Sequence, residues 1–174
     1  THLLLEEDPK PEQREHLNSL KFSGEYLLSL INNILDLNKL EANKVEIEKA
    51  PFNLKKRIDG VLIALKKSAE AKNNNVHYEY DPTLPNEVMG DSLKISQILI
   101  NLISNSIKFT ENGDIWVRVK NAEKTAKKVV VHFEVEDTGD GISKKKQNTI
   151  FESFSQGSLQ INRKYGGTGL GLSI

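Results

Sequence analysis

Residues 92–109 read SLKISQILINLISNSIKF. Ile95, Ile98, Leu99, Leu102, Ile103 and Ile107 recur at helical spacing and cover most of a circumference, which predicts a largely buried helix. Asn101, Asn105 and Lys108 stand at i, i+4 and i+7, on one narrow stripe. Asparagine is a mediocre helix former, and two amides on a mostly buried helix need partners. Two readings fit. In one the stripe faces solvent, in keeping with Lys94 and Gln97 on the same side. In the other it faces phosphates: an amide oxygen helps hold Mg2+, a hard cation that keeps most of its waters, and lysine supplies a point charge. The neutral amide adds no repulsion toward a triphosphate.

Downstream, 113–121 and 128–137 read as two strands joined by a polar turn around 123–126. The second strand runs into DTGDGI, residues 137–142. Asp137 stands at the strand terminus, and Gly139 and Gly141 let the backbone turn and a ligand come close. A carboxylate there can accept a hydrogen bond from the exocyclic amine of adenine, where guanine carries an acceptor. An ordinary turn is the plain alternative. A calcium loop is not, because the alternating acids and closing glutamate of an EF-hand are missing.

Residues 166–172, GGTGLGL, lead into an expected helix at 168–174, so several backbone N–H groups can face an anion. No lysine follows in P-loop order, and the spacing departs from a dinucleotide fingerprint. The polar, irregular stretch 142–167 reads as a lid over phosphates. Phe151 and Phe154 are its expected apolar pegs, and Lys144, Lys145 and Lys146 its solvated face. Arg163 and Lys164 adjoin the glycines and fit either solvent or phosphate.

Upstream, 52–73 reads as a helix with Asn53 as N-cap, and 76–80 as a strand ended by Asp81 and Pro82. Helices and strands without regular βαβ spacing predict an α+β sandwich, helices on one face of a mixed sheet. Before that the pattern is helical: residues 1–7 look like the end of one helix, prolines at 9 and 11 break it, and 12–43 form a second. Leu17, Leu20, Leu27, Ile31 and Ile34, widened by Leu28, Leu30, Leu35 and Leu37, make an apolar face that the first helix is too short to cover. A four-helix bundle built from two chains covers it; packing inside a single domain is the alternative. Residues 1–44 carry 5 basic and 8 acidic side chains, and 45–174 carry 19 and 16. The change places a domain boundary near residues 43–50.

Across all 174 residues, 24 Lys+Arg balance 24 Asp+Glu. That balance argues against broad nucleic-acid binding, which needs a basic excess. No apolar run approaches the ~18 residues of a membrane span, and no secretion signal opens the chain. The absence of cysteine excludes disulfides and thiolate metal sites, and suits an intracellular compartment.

Taken together these segments resemble sensor histidine kinases of two-component systems. Residues 97–110 (QILINLISNSIKFT) are similar to their N-box, 137–142 to their first glycine box, 151–154 (FESF) to their F-box, and 166–172 to their second glycine box. Residues 26–42 (YLLSLINNILDLNKLEA) resemble the second helix of their dimerisation and phosphotransfer domain. The resemblance implies two units. Residues 1–44 would be a partial helical hairpin of the dimeric four-helix-bundle type. Residues 45–174 would be an α/β sandwich of the Bergerat type, shared with gyrase, mismatch-repair and chaperone ATPases, cut off in its last helix.

It further implies ATP and Mg2+ as ligands. Asn105 would be the metal-linked amide, with Asn101, Lys108 and Phe109 beside the nucleotide. Asp137 would read adenine, with Gly139, Gly141 and Ile142 around the base. Gly167, Thr168, Gly169, Leu170 and Gly171 would shape the phosphate end of the lid, and Phe151, Phe154, Arg163 and Lys164 complete the set. In the family a histidine on the first helix takes the γ-phosphoryl group and passes it to an aspartate of a response-regulator receiver domain. The expected histidine box (HE-x-R-T-P-L) is absent here: His2 and His16 have the wrong neighbours, and His77 and His132 fall in strands. The chain is therefore expected to be a piece of a longer kinase. It would dimerise through its hairpin, bind Mg–ATP and not phosphorylate itself. It would lie in the cytoplasm, with any membrane anchor elsewhere. The alternatives are another Bergerat-fold ATPase or a non-catalytic nucleotide-binding dimerisation module.

Overall fold

The computed structural model describes residues 4, 9–42, 44–125, 128–151 and 172. The first expected helix, at 1–7, lies outside them except for helical Leu4. Helix α1 spans Pro11–Glu41 and starts on a proline at its first turn, where the missing N–H costs nothing. Leu37 is buried, but Leu20, Leu27, Leu28, Ile31, Ile34 and Leu35 are exposed. Among the described residues, most of that apolar face is thus left exposed.

The remaining elements are β1 (Ala50–Asn53), α2 (Leu54–Glu70), β2 (Asn75–Tyr80), β3 (Glu87–Gly90), α3 (Ser92–Phe109), β4 (Asp114–Lys124), β5 (Val129–Asp137) and the short α4 (Lys144–Gln147). Helix α2 starts two residues later than expected, directly after the expected cap, where the Asn53 side chain accepts from the Lys56 backbone N–H at 2.8 Å. Residues 52 and 53, read from sequence as helix and cap, belong to β1, which pairs antiparallel with β3. Neither four-residue strand is long enough to show a period. Strand β4 lies between β2, parallel, and β5, antiparallel. The mixed sheet and the helices on one side of it match the α+β expectation.

The core sits between α2, α3 and the inner face of β4. Leu54, Ile58 and Val61 meet Leu99, Ile103 and Ile107 over Ile115, Val117 and Val119. Strict alternation along β4 sends Trp116, Arg118 and Lys120 to the other face. There Arg118 pairs with Glu134 and Glu136, and the His77 ring stacks on Trp116 at 5.1 Å. Each fully buried aliphatic side chain contributes roughly 1.5–3 kcal/mol, so these nine residues anchor α3 firmly against the sheet. Ile98 departs from the expectation of burial. It is 53% exposed, because the apolar positions of α3 outnumber what one sheet face can cover.

Candidate nucleotide site

Helix α3 is pinned at both ends. At its start the Asp91 carboxylate accepts from the backbone N–H groups of Lys94 (2.9 Å) and Leu93 (3.1 Å), and from Glu48 N–H at 3.2 Å. These bonds, the one from Lys94 first, hold the carboxyl below the usual aspartate range. Leu99, Ile103, Ser106 and Ile107 turn inward. At about 100° per residue, Asn101, Asn105 and Lys108 share one arc on the opposite side. All three are half-buried. Lys94 and Gln97 sit on the same side, yet they face α1 as well as solvent: Gln97 Nε2 donates to Asp36 at 3.0 Å, and Lys94 Nζ lies 3.8 Å from that carboxylate.

The C-terminal end of α3 is held by a run of polar residues that sequence reading passed over. Residues 72–75, KNNN, clasp residues 108–114. Lys72 Nζ donates to the Lys108 carbonyl at 2.5 Å, and the Lys72 carbonyl accepts from Asn112 N–H at 3.0 Å. Asn74, itself buried, donates to the Thr110 carbonyl (2.9 Å) and accepts from Gly113 N–H (3.2 Å). Asn75 N–H donates to the Gly113 carbonyl at 2.8 Å. Burial, and next the nearby Lys72 charge, pushes the Lys108 ammonium below its ordinary pKa. Its Nζ lies 5.2 Å from the Phe109 ring centre. Three asparagines in succession after a helix were the available signal.

Asp137 ends β5 against this same helix. Ser106 Oγ donates to its Oδ2 at 2.9 Å, and Gly139 N–H to its Oδ1 at 3.0 Å. The residue remains exposed, and each carboxylate oxygen keeps a lone pair for a further donor. The glycine after it has a packing reason: a Cβ on Gly139 would stand 2.4 Å from the Phe109 carbonyl oxygen and 2.9 Å from Thr110 Oγ1. Asp140 N–H reaches the same Phe109 carbonyl at 3.4 Å. Gly113 is confined in the same way by Thr138 Oγ1, 2.4 Å from its would-be Cβ. Gly141 adopts φ +67°, the left-handed region that glycine enters without strain. Thr110 Oγ1 is buried with no hydrogen-bond partner among the described residues. Ser106, Thr110 and Thr138 were all missed by sequence reading. A hydroxyl on the apolar side of α3 was the signal for Ser106.

The structure therefore seats Asp137 and Gly139 on the C-terminal end of α3, through Ser106 on its inward arc, while Asn101, Asn105 and Lys108 lie on the opposite arc of the same helix. Ile142 is exposed, and Phe151 is 65% exposed, so among the described residues Phe151 does not dock as the expected apolar peg. The lysine face is as expected for Lys144 and Lys146, exposed in α4. Phe154, Arg163, Lys164, Gly167, Thr168, Gly169, Leu170 and Gly171 lie outside the described residues. Among the described residues no three His, Cys, Asp or Glu side chains converge as a metal cage, and no helix is long and apolar enough to cross a membrane. A cleft of about 560 Å³ between α2 and α3 is lined by Phe52, Lys56, Arg57, Gly60, Ser92 and Ile100. It contains none of the expected site residues.

Two families match the chain in order: "His Kinase A (phospho-acceptor) domain" over residues 1–43, and "Histidine kinase-, DNA gyrase B-, and HSP90-like ATPase" over 90–174. The signal transduction histidine-protein kinase BarA of Escherichia coli is 40% identical over 174 residues, all of this chain and 19% of BarA. The sensor protein GacS of Pseudomonas syringae is also 40% identical, again over 19% of its length. The chain thus spans about a fifth of these relatives. Among solved structures, full-length ShkA in complex with AMPPNP aligns over 98% of this chain and 34% of its own, with a TM-score of 0.76 and 30% identity. The nucleotide-free catalytic domain of histidine kinase ThkA aligns over 72% of this chain and 76% of its own, with a TM-score of 0.58 and 30% identity. The clasped N-box helix, the strand-end aspartate and these likenesses lead to one assignment: the chain belongs to the sensor histidine kinase family.

Proposed function

We propose that this chain is the ATP-binding catalytic part of a two-component sensor histidine kinase, with residues 1–44 a partial dimerisation and phosphotransfer unit and 45–174 the nucleotide-binding unit. One observation carries the reading. The exposed Asp137 carboxylate is clamped by Ser106 and Gly139 against the helix whose stripe holds Asn101, Asn105 and Lys108. ShkA, with AMPPNP bound, supports an adenine nucleotide as the ligand.

In this reading Asp137 accepts from the exocyclic amine of adenine, and Ser106 and Gly139 fix the direction of its free lone pairs. Lys108 pairs with phosphate oxygens, which favours its charged form. Asn105 is the one protein ligand named for Mg2+. A single neutral amide suits a cation that takes its other ligands from phosphates and water. When bound, the metal neutralises charge that develops on the transferring phosphoryl group. The γ-phosphoryl acceptor is a histidine outside residues 1–174, and the onward partner is a response-regulator receiver domain. His16 is exposed on α1, with Nδ1 2.7 Å from the Glu12 carbonyl, and lacks the neighbours of an acceptor. The uncovered leucine face of α1 is the homodimer surface. The chain works in the cytoplasm, and any membrane anchor lies in other segments.

The test is calorimetry with Mg–ATP and Mg–GTP on the wild type, Asp137→Asn and Asn105→Asp. The expected result is preference for ATP in the wild type, loss of that preference in Asp137→Asn, and weaker Mg–ATP binding in Asn105→Asp. Equal ATP and GTP affinity in the wild type would remove Asp137 from base selection. Unchanged affinity in Asn105→Asp would remove the metal assignment.

A further inference from the structure

An anion beside Lys108 has a physical problem. The stripe approaches the C-terminal end of α3, and the aligned peptide dipoles leave about half a negative charge on the last carbonyls of a helix. Phosphates bind readily at helix N-termini, the opposite end. A site that places oxyanions along the last turn must cancel those carbonyls.

The three final carbonyls of this helix end are all engaged. Thr110 O accepts from Asn74, Phe109 O from Asp140 N–H, and Lys108 O from Lys72. The first two donors are neutral. Lys72 brings a full positive charge to the carbonyl of the very residue whose side chain is expected at the phosphates. It comes from outside every box by which the family resemblance is drawn, 36 positions before Lys108. Its own backbone is tied to Asn112, so the ammonium is delivered from a fixed point.

We propose that Lys72 is a positioning residue of the nucleotide site: its ammonium neutralises the carbonyl end of α3 and fixes the Lys108 backbone, allowing phosphate oxygens to lie along the last helical turn. This rests on the nucleotide reading above. Lys72 acts through Lys108 and the helix end, so its effect scales with ligand charge and spares the base. The proximity of the two lysines points the same way, since an arriving anion relieves the repulsion between them.

The experiment compares the wild type, Lys72→Gln and Lys72→Arg, each titrated with Mg–ATP and Mg–ADP by calorimetry and with adenosine by chemical-shift perturbation. Glutamine keeps a donor for the carbonyl and removes the charge; arginine keeps the charge. Lys72→Gln is expected to weaken Mg–ATP about tenfold, the scale of a favourable charge at a helix terminus. Mg–ADP should weaken less and adenosine stay within about twofold, while Lys72→Arg recovers most of the ATP affinity. Wild-type ATP affinity in Lys72→Gln overturns the proposal, and so does an equal loss for ATP and adenosine, which would make Lys72 mere scaffold. A wild type that binds adenosine and ATP equally, or binds neither, instead sinks the nucleotide reading itself, and this inference with it.

Discussion

Replacing Gly139 by alanine tests whether the strand-end loop is seated on the N-box helix. The added Cβ would stand 2.4 Å from the Phe109 carbonyl oxygen and 2.9 Å from both the Phe109 carbonyl carbon and Thr110 Oγ1. Ordinary contact requires about 1 Å more than the shortest of these. Backbone on the helix side cannot supply it, because Lys72 and Asn74 hold the neighbouring carbonyls. The loop must therefore lift. It gives up the bond from Asp140 N–H to Phe109 and strains the one from Gly139 N–H to Asp137. At about 1 kcal/mol per hydrogen bond the cost is about 2 kcal/mol. The stiffer unfolded chain of the alanine variant offsets about 0.5 kcal/mol of this. For a chain of this length the remainder lowers Tm by roughly 3–6 °C. Lifting the loop also turns the Asp137 carboxylate, so Mg–ATP affinity should fall at least tenfold. Circular dichroism melts and calorimetry read the two effects. Gly141→Ala is the control: open space surrounds its would-be Cβ and only the φ of +67° is strained, so its binding loss should be smaller. A Gly139→Ala variant with unchanged Tm and unchanged ATP affinity would refute the seating argument.

Gly60 lies mid-helix in α2 with nothing within 4 Å of a would-be Cβ. Gly60→Ala should therefore stabilise by about 0.5–1 kcal/mol through helix propensity, and a lower Tm would contradict the open setting of that face. Asp91 concerns pH. Its carboxyl is held below the usual range in the folded state, so its contribution is fully present above the unfolded value and is lost as pH falls from there through the lower folded value. Melts between about pH 5 and about pH 2 should show a shallower acid decline for Asp91→Asn, which keeps the helix cap but not the titration. Identical slopes would exclude Asp91 as a source of acid lability.

Much of the fold was legible in the sequence. Ser92–Phe109 was bounded correctly because its apolar residues recur at helical spacing along its length. Strands β4 and β5 showed through alternation, and Asn53 through capping chemistry. Strands β1 and β3 were not legible, since four residues carry too little period to separate strand from loop. Of the candidate site, Asn101, Asn105, Lys108 and Asp137 stood out in the sequence because polar side chains at such places need a reason. Ser106 and Lys72 did not, because a serine in a helix and a lysine after one are ordinary in any local window.

The sequence alone determined which elements form and which residue types line them, since period, caps and turns act over a few neighbouring residues. Tertiary structure decided which polar groups meet. The Ser106–Asp137 bond joins residues 31 apart and the Lys72–Lys108 bond residues 36 apart. Both follow from the register of β2, β4 and β5 and from the core that presses α3 onto them. A local pattern contains no record of that register, because hydrogen bonds between distant residues form only after burial has set their distance.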